Sequence, residues 1–231
     1  MDPVLLIALL LLLIGLGIFG AIHAAKVARA RREALAALAG RHGLGYVRDD
    51  DARAERLREG FEPFAEGHSQ RAYNTLVGEV QWRAGRCDLA AGDFEYRQTH
   101  GSGKNRRTTT YEFSYLVVGL PFACPDLHIR AETVLDRIAQ AFGFDDIDFE
   151  SDEFSRRFHV RSRDRRFAHA LIQPRSMELL LEARPEFFAL AGGRLCLHFG
   201  IDTWSVEEFE RALAFARAFL DLWPEHLLPE R

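Results

Sequence analysis

The chain has 231 residues, 48% of them hydrophobic and 28% charged, with a formal net charge of −4. This composition excludes a largely disordered chain, and the negative balance excludes a protein held on nucleic acid by its overall field. Cys87, Cys124 and Cys196 are too few and too far apart for a disulfide framework or a Cys/His zinc site, and reduced thiols suit a cytoplasmic domain. Lysine occurs only at Lys26 and Lys104, and with the abundant Ala and Arg this points to a GC-rich bacterial genome.

Val4 to Ile22 is an unbroken apolar run without charge. At about 1.5 Å per residue it reaches roughly 28 Å, the thickness of a bilayer's hydrocarbon core. A cleaved signal peptide is the competing reading, and Ala21-Ile22-His23-Ala24 offers small residues for cleavage. The preceding flank, Met1-Asp2-Pro3, however lacks the positive charge such peptides carry. The positive charge follows the run, at Lys26, Arg29, Arg31 and Arg32, so the positive-inside rule predicts the N-terminus outside and the rest of the chain in the cytoplasm. These four basic residues are also candidates for contact with anionic head groups. The helix is expected to continue from Ala24 to Ala39, with Val27, Ala34, Leu35 and Leu38 as an apolar stripe and Gly40 as its C-cap.

Leu44 to Val47 reads as a short strand, and Asp49 to Glu59 as a charged surface helix or loop. Tyr73 to Arg83 and Arg86 to Arg97 form two strands about an Ala84-Gly85 turn, with Phe94 and Tyr96 on one face and Asp93, Glu95 and Arg97 on the other. A polar loop over Gln98 to Arg107 leads to a third strand, Thr108 to Leu120, closed by Pro121 and Pro125. Further on, the pattern predicts a helix from Ala131 to Phe142 and a strand from Phe158 to Arg161. Two helical pieces, Arg165 to Ile172 and Ser176 to Ala183, are expected to break at Pro174. A hairpin of Glu186 to Leu190 and Arg194 to Phe199 turns at Gly192-Gly193. Ser205 and Glu208 form a capping box for a last helix running to Leu222, whose apolar face carries Phe209, Leu213, Ala216 and Leu220.

Three segments resemble an uncharacterised bacterial family of single-helix membrane proteins. They are Gly101-Ser102-Gly103-Lys104-Asn105, then Asp148-Phe149-Glu150-Ser151-Asp152-Glu153-Phe154 followed by Arg156-Arg157-Phe158-His159-Val160, and Arg166-Phe167-Ala168-His169-Ala170-Leu171. The resemblance implies an architecture over most of the chain and carries no catalytic residue across.

Each candidate site has a plainer explanation. Gly101 to Lys104 lacks the first glycine and the Ser/Thr of a phosphate loop, with Gln98 and Asn105 in those places, and it joins two strands. Its basic residues Lys104, Arg106 and Arg107 suit an anionic surface or a solvated tip. The acidic run Asp145, Asp146, Asp148, Glu150, Asp152 and Glu153 fails the EF-hand pattern, with Ser151 where glycine belongs and Arg157 at the closing position. The basic residues after it (Arg156, Arg157, Arg161, Arg163, Arg165 and Arg166) suggest charge pairing on a surface. Phe154, Phe158 and Phe167 lie among these arginines as a stacking platform would, yet Phe158 and Val160 alternate like a half-buried strand. The nine histidines are scattered, and no HExxH or GxSxG pattern occurs.

The sequence thus predicts an α+β protein in five parts. Residues 1–3 are a short extracytoplasmic flank, 4–22 a single-pass transmembrane helix and 23–40 a basic juxtamembrane helix. Residues 41–130 form a β-rich subdomain with an antiparallel meander, and 131–231 an α/β-mixed subdomain. No cofactor, metal or nucleic acid is expected. The leading function is a membrane-anchored cytoplasmic interaction or scaffold module. The alternatives are a membrane-associated enzyme whose site is not visible in sequence, and a sensor or binder of anionic lipid or a small ligand.

Overall fold

The computed structural model describes residues 3–132 and 147–229. Helix α1 runs without a break from Pro3 to Arg41. Its first half is a bare apolar rod, with the large side chains Ile7, Leu9 to Ile14, Leu16, Ile18, Phe19 and Ile22 between 49% and 70% exposed, and it is long and apolar enough to cross a membrane. Its last turns belong to the domain, where Leu35, Leu38 and Ala39 are buried. The helix ends at Arg41, two residues past the expected Ala39, so Gly40 lies inside it rather than capping it, and its packing stripe is shorter than its periodicity implies. Val27 is 56% exposed because the domain meets the helix only from Arg31 onward.

Eight strands form one antiparallel sheet: β1 (Gly45–Asp49), β2 (His68–Trp82), β3 (Gly85–His100), β4 (Arg107–Gly119), β5 (Leu127–Ala131), β6 (Phe158–Ser162), β7 (Phe187–Ala191) and β8 (Arg194–His198). Their spatial order is β1-β2-β3-β4-β8-β7-β5-β6. Strands from before and after residue 130 are therefore hydrogen-bonded across β4 and β8, with Leu116 opposite Leu197 and Gly119 opposite Arg194. Strand alternation supplies both faces with apolar residues. Leu116 and Val118 face the larger core, which is covered by α1, α3 (Asp152–Arg157), α4 (Arg165–Leu171), α5 (Pro174–Ala183) and α6 (Val206–Asp221). Tyr115 and Val117 face the smaller core, covered by α2 (Asp51–Gly60) and the turn holding Phe61 and Phe64. The Phe64 ring lies 4.9, 5.2 and 5.5 Å from those of Phe94, Phe113 and Tyr115.

Five local expectations change or sharpen. Ala131 closes strand β5 instead of opening a helix, and residues 133–142 of the helix expected there lie outside the described residues. The first strand starts and ends later than 44–47. Asp152 and Glu153 open a short helix capped by Ser151, whose Oγ accepts from Phe154 N at 3.2 Å, so part of the acidic run serves the positive end of a helix. Phe154, Phe158 and Phe167 are all buried in the larger core, which leaves no aromatic platform among the arginines. Pro174, placed as a breaker, occupies the first turn of α5, where its missing N–H costs nothing.

Candidate functional site

The polar residues that tie α1 to the sheet meet at one buried carboxylate. Asp93 sits mid-strand in β3, with no exposed surface. Aspartate is disfavoured there unless its charge and all its acceptor sites are satisfied. Arg31, on α1, donates from Nε to Oδ2 at 2.9 Å and from Nη2 to Oδ1 at 2.7 Å, the paired fork geometry that carboxylates bind best. Asn74 donates to Oδ2 at 2.9 Å and Ser114 Oγ to Oδ1 at 2.6 Å, so each oxygen accepts two hydrogen bonds.

Local backbone geometry aims these partners. Asn74 has a positive φ of 49°, inside an irregularity of the β2–β3 ladder between Tyr73 and Leu76. That bulge turns its side chain onto Asp93 and lets its Oδ1 accept from the Tyr46 hydroxyl at 2.7 Å. Gly92 makes room, since a Cβ there would lie 2.9 Å from the Cα of Thr75. The network also reaches the loop before α6: Trp204 N donates to Ser114 Oγ at 2.8 Å, and Arg31 Nη1 donates to the Trp204 carbonyl at 2.8 Å. One arginine thus joins α1, the sheet and the entry to α6. Chemically, this arrangement holds parts together: the base nearest the Ser114 hydroxyl is a carboxylate already neutralised by a guanidinium.

The basic residues singled out from sequence separate into three environments. Lys26 and Arg29 are exposed on the free part of α1, with Arg29 paired to Glu33 at 2.7 Å. Arg31 is committed to Asp93, and Arg32 is half-buried beside it. Lys104, Arg106 and Arg107 lie at the β3–β4 hairpin tip, where Gly103 to Asn105 form a single helical turn between two strands.

Two grooves flank α6. The larger, about 510 Å³, lies between α5 and α6 over Leu179, Phe199 and Phe215, with Glu182, Arg184 and Arg211 on its exposed rim. The smaller, about 140 Å³, lies between α6 and the sheet beside Trp82. Among the described residues, no three His, Cys, Asp or Glu side chains converge as a metal-binding group. All three cysteines are free, and burial pushes the Cys124 thiol up to about 11, far from reactive thiolate. His198 packs between Phe187 and Phe113, with ring centroids 5.4 and 5.1 Å away. Burial, then the nearby Arg130 charge, lower it to about 3, so the ring is neutral.

Sequence reasoning passed over Asp93, Asn74, Ser114 and Trp204. The available signal was an Asp inside a strand, next to a glycine and between apolar neighbours.

No family model and no curated protein matches the chain. Among solved structures, it is similar to the mycobacterial trehalose monomycolate transport factor A, TtfA, with a TM-score of 0.57 and 12% identity over 88% of this chain and 98% of that one. The two share a fold. At that identity the likeness shows the fold alone.

Proposed function

We propose that this protein is a single-pass membrane protein whose α+β domain is an interaction or scaffold module. The module is held rigidly at the cytoplasmic face and assists a membrane-bound process. One observation carries the reading: the apolar rod and the core-packed turns are a single helix, and Arg31 fastens that helix to Asp93 inside the domain. An apolar helix of this length stays in water only at great cost, and a bilayer is the environment that relieves it. The basic residues after the rod favour the cytoplasmic side for the domain. The transport-factor name of the structural neighbour supports an accessory role near membrane transport. The α5–α6 groove, with an apolar floor and a charged exposed rim, suits a protein segment better than a reaction centre.

Two measurements test this together. The full chain should remain in the membrane pellet after alkaline carbonate extraction, and a reporter fused after Arg231 should show cytoplasmic activity. Release by carbonate, or periplasmic activity of the fusion, would overturn the reading. Crosslinking in native membranes through a photoreactive residue at Ala214, in the α5–α6 groove, should then capture a discrete partner.

A further inference from the structure

The same fastening that orients the domain sends one of its arms toward the bilayer. Helix α1 and strand β3 run in opposite directions over one sheet face. Arg31 meets Asp93, while Leu44, just past the helix end, packs on Gly78, whose strand partner is Leu89. Moving back along α1 toward the apolar rod is therefore moving forward along β3 toward the hairpin tip. From Arg31 back to Ile22 a helix covers about 14 Å, whereas from Asp93 on to His100 a strand covers about 23 Å. The arm reaches the level of Ile22 even if it inclines to the helix by about 50°.

The arm is braced. The β3–β4 ladder continues to His100 opposite Arg107. Tyr96 stacks on Tyr111 with ring centroids 5.1 Å apart, and Thr99 bonds Thr108 at 3.0 Å and His68 at 3.0 Å. The tip turns through Gly101 and Gly103, at φ of 78° and 57°; a Cβ on Gly101 would lie 2.5 Å from the Asn105 carbonyl. The charge changes sign along the arm. Between Gln98 and Tyr111 there is no Asp or Glu, but there are Lys104, Arg106 and Arg107, and the side chains of both arginines are exposed. A solvated tip would need neither this reach nor this single sign of charge.

We propose that the β3–β4 tip is a second membrane contact, in which Arg106 and Arg107 bind the phosphate groups of anionic phospholipids in the leaflet where α1 emerges. The guanidinium fork matches phosphate, and each basic side chain near an anionic leaflet strengthens attraction by about fivefold. The domain is then held at two points and cannot swing about α1. This rests on α1 spanning the bilayer.

The experiment uses the full chain in nanodiscs. Cys124→Ser leaves only the buried Cys87 and Cys196, and Ser102→Cys takes a fluorophore at the tip. Lipids carrying a head-group nitroxide report proximity by quenching. Strong quenching is expected in discs containing phosphatidylglycerol. It should weaken in phosphatidylcholine alone and with added salt, and R106E/R107E should lower the docked-to-free ratio by about 25-fold or more. Protein that fails to co-elute with discs overturns the spanning reading and the contact with it. Protein that co-elutes but is unquenched, or quenched equally with both lipids and with R106E/R107E, overturns the lipid contact alone.

Discussion

Asp93 shows how much depends on one side chain. Removing Arg31 would leave a carboxylate with no exposed surface and only two donors, Asn74 and Ser114. Breaking such a pair from one side costs about 3–5 kcal/mol, because the remaining charge stays buried. Arg31→Ala should show this loss in chemical denaturation of the detergent-solubilised protein, and adding Asp93→Asn should recover part of it. No recovery would mean that Arg31 acts through its contact with the Trp204 carbonyl. His198 supplies a pH dependence with a definite sign. In the unfolded chain a histidine takes up its proton below about 6.5, but in the fold this ring does so only near 3. The unfolded state binds the extra proton first, so stability falls as pH drops through that window, by at most about 1.4 kcal/mol per unit. Gly200 N–H pointing at Nδ1, at 3.3 Å, fits a neutral ring accepting there. Denaturation midpoints between pH 7 and pH 5 should shift less in His198→Gln than in the parent protein. Some slope should persist through His128, whose value burial also lowers.

At the scale of elements, legibility follows how local the stabilising interactions are. Helix α6 was readable because its start is written in two adjacent side chains. Ser205 Oγ accepts from Glu208 N at 3.2 Å, and the Glu208 carboxylate accepts from Ser205 N at 2.7 Å. Ser205→Ala should cost about 1 kcal/mol in a thermal melt; a shift within error would mean that packing of Phe209 and Phe215 alone holds that end. The long strands β2, β3 and β4 were readable from alternation and β-branched content. Strand β5 was not, because it has five residues and follows Pro125, and Ala131 also suits a helical pattern. The helix–sheet junction was illegible for a different reason. Arg31 and Asp93 are 62 residues apart; in the sequence one reads as a basic residue flanking the apolar run and the other as part of a strand's polar face. Only the bulge at Asn74 and the crossing of α1 over the sheet bring them together.

For the whole molecule, exposed large apolar side chains among the described residues are confined to α1 up to Val27 and to Ile201. The domain beyond Arg31 carries its own core on both sheet faces. A chain starting at Lys26 should therefore be soluble, keep the Arg31–Asp93 pair and run as a discrete species on gel filtration. Aggregation of that truncated protein would show that the rod does more for the domain than tether it.

An unbroken helix also transmits rotation. Each residue added between Lys26 and Ala30 would turn everything beyond it by about 100° around the helix axis and lift it by about 1.5 Å. The compass bearing of the domain relative to its apolar rod is therefore set by residue count. A one-residue insertion would point its grooves and its basic tip at a different neighbour, and seven residues would nearly restore the bearing, at about 10 Å greater height.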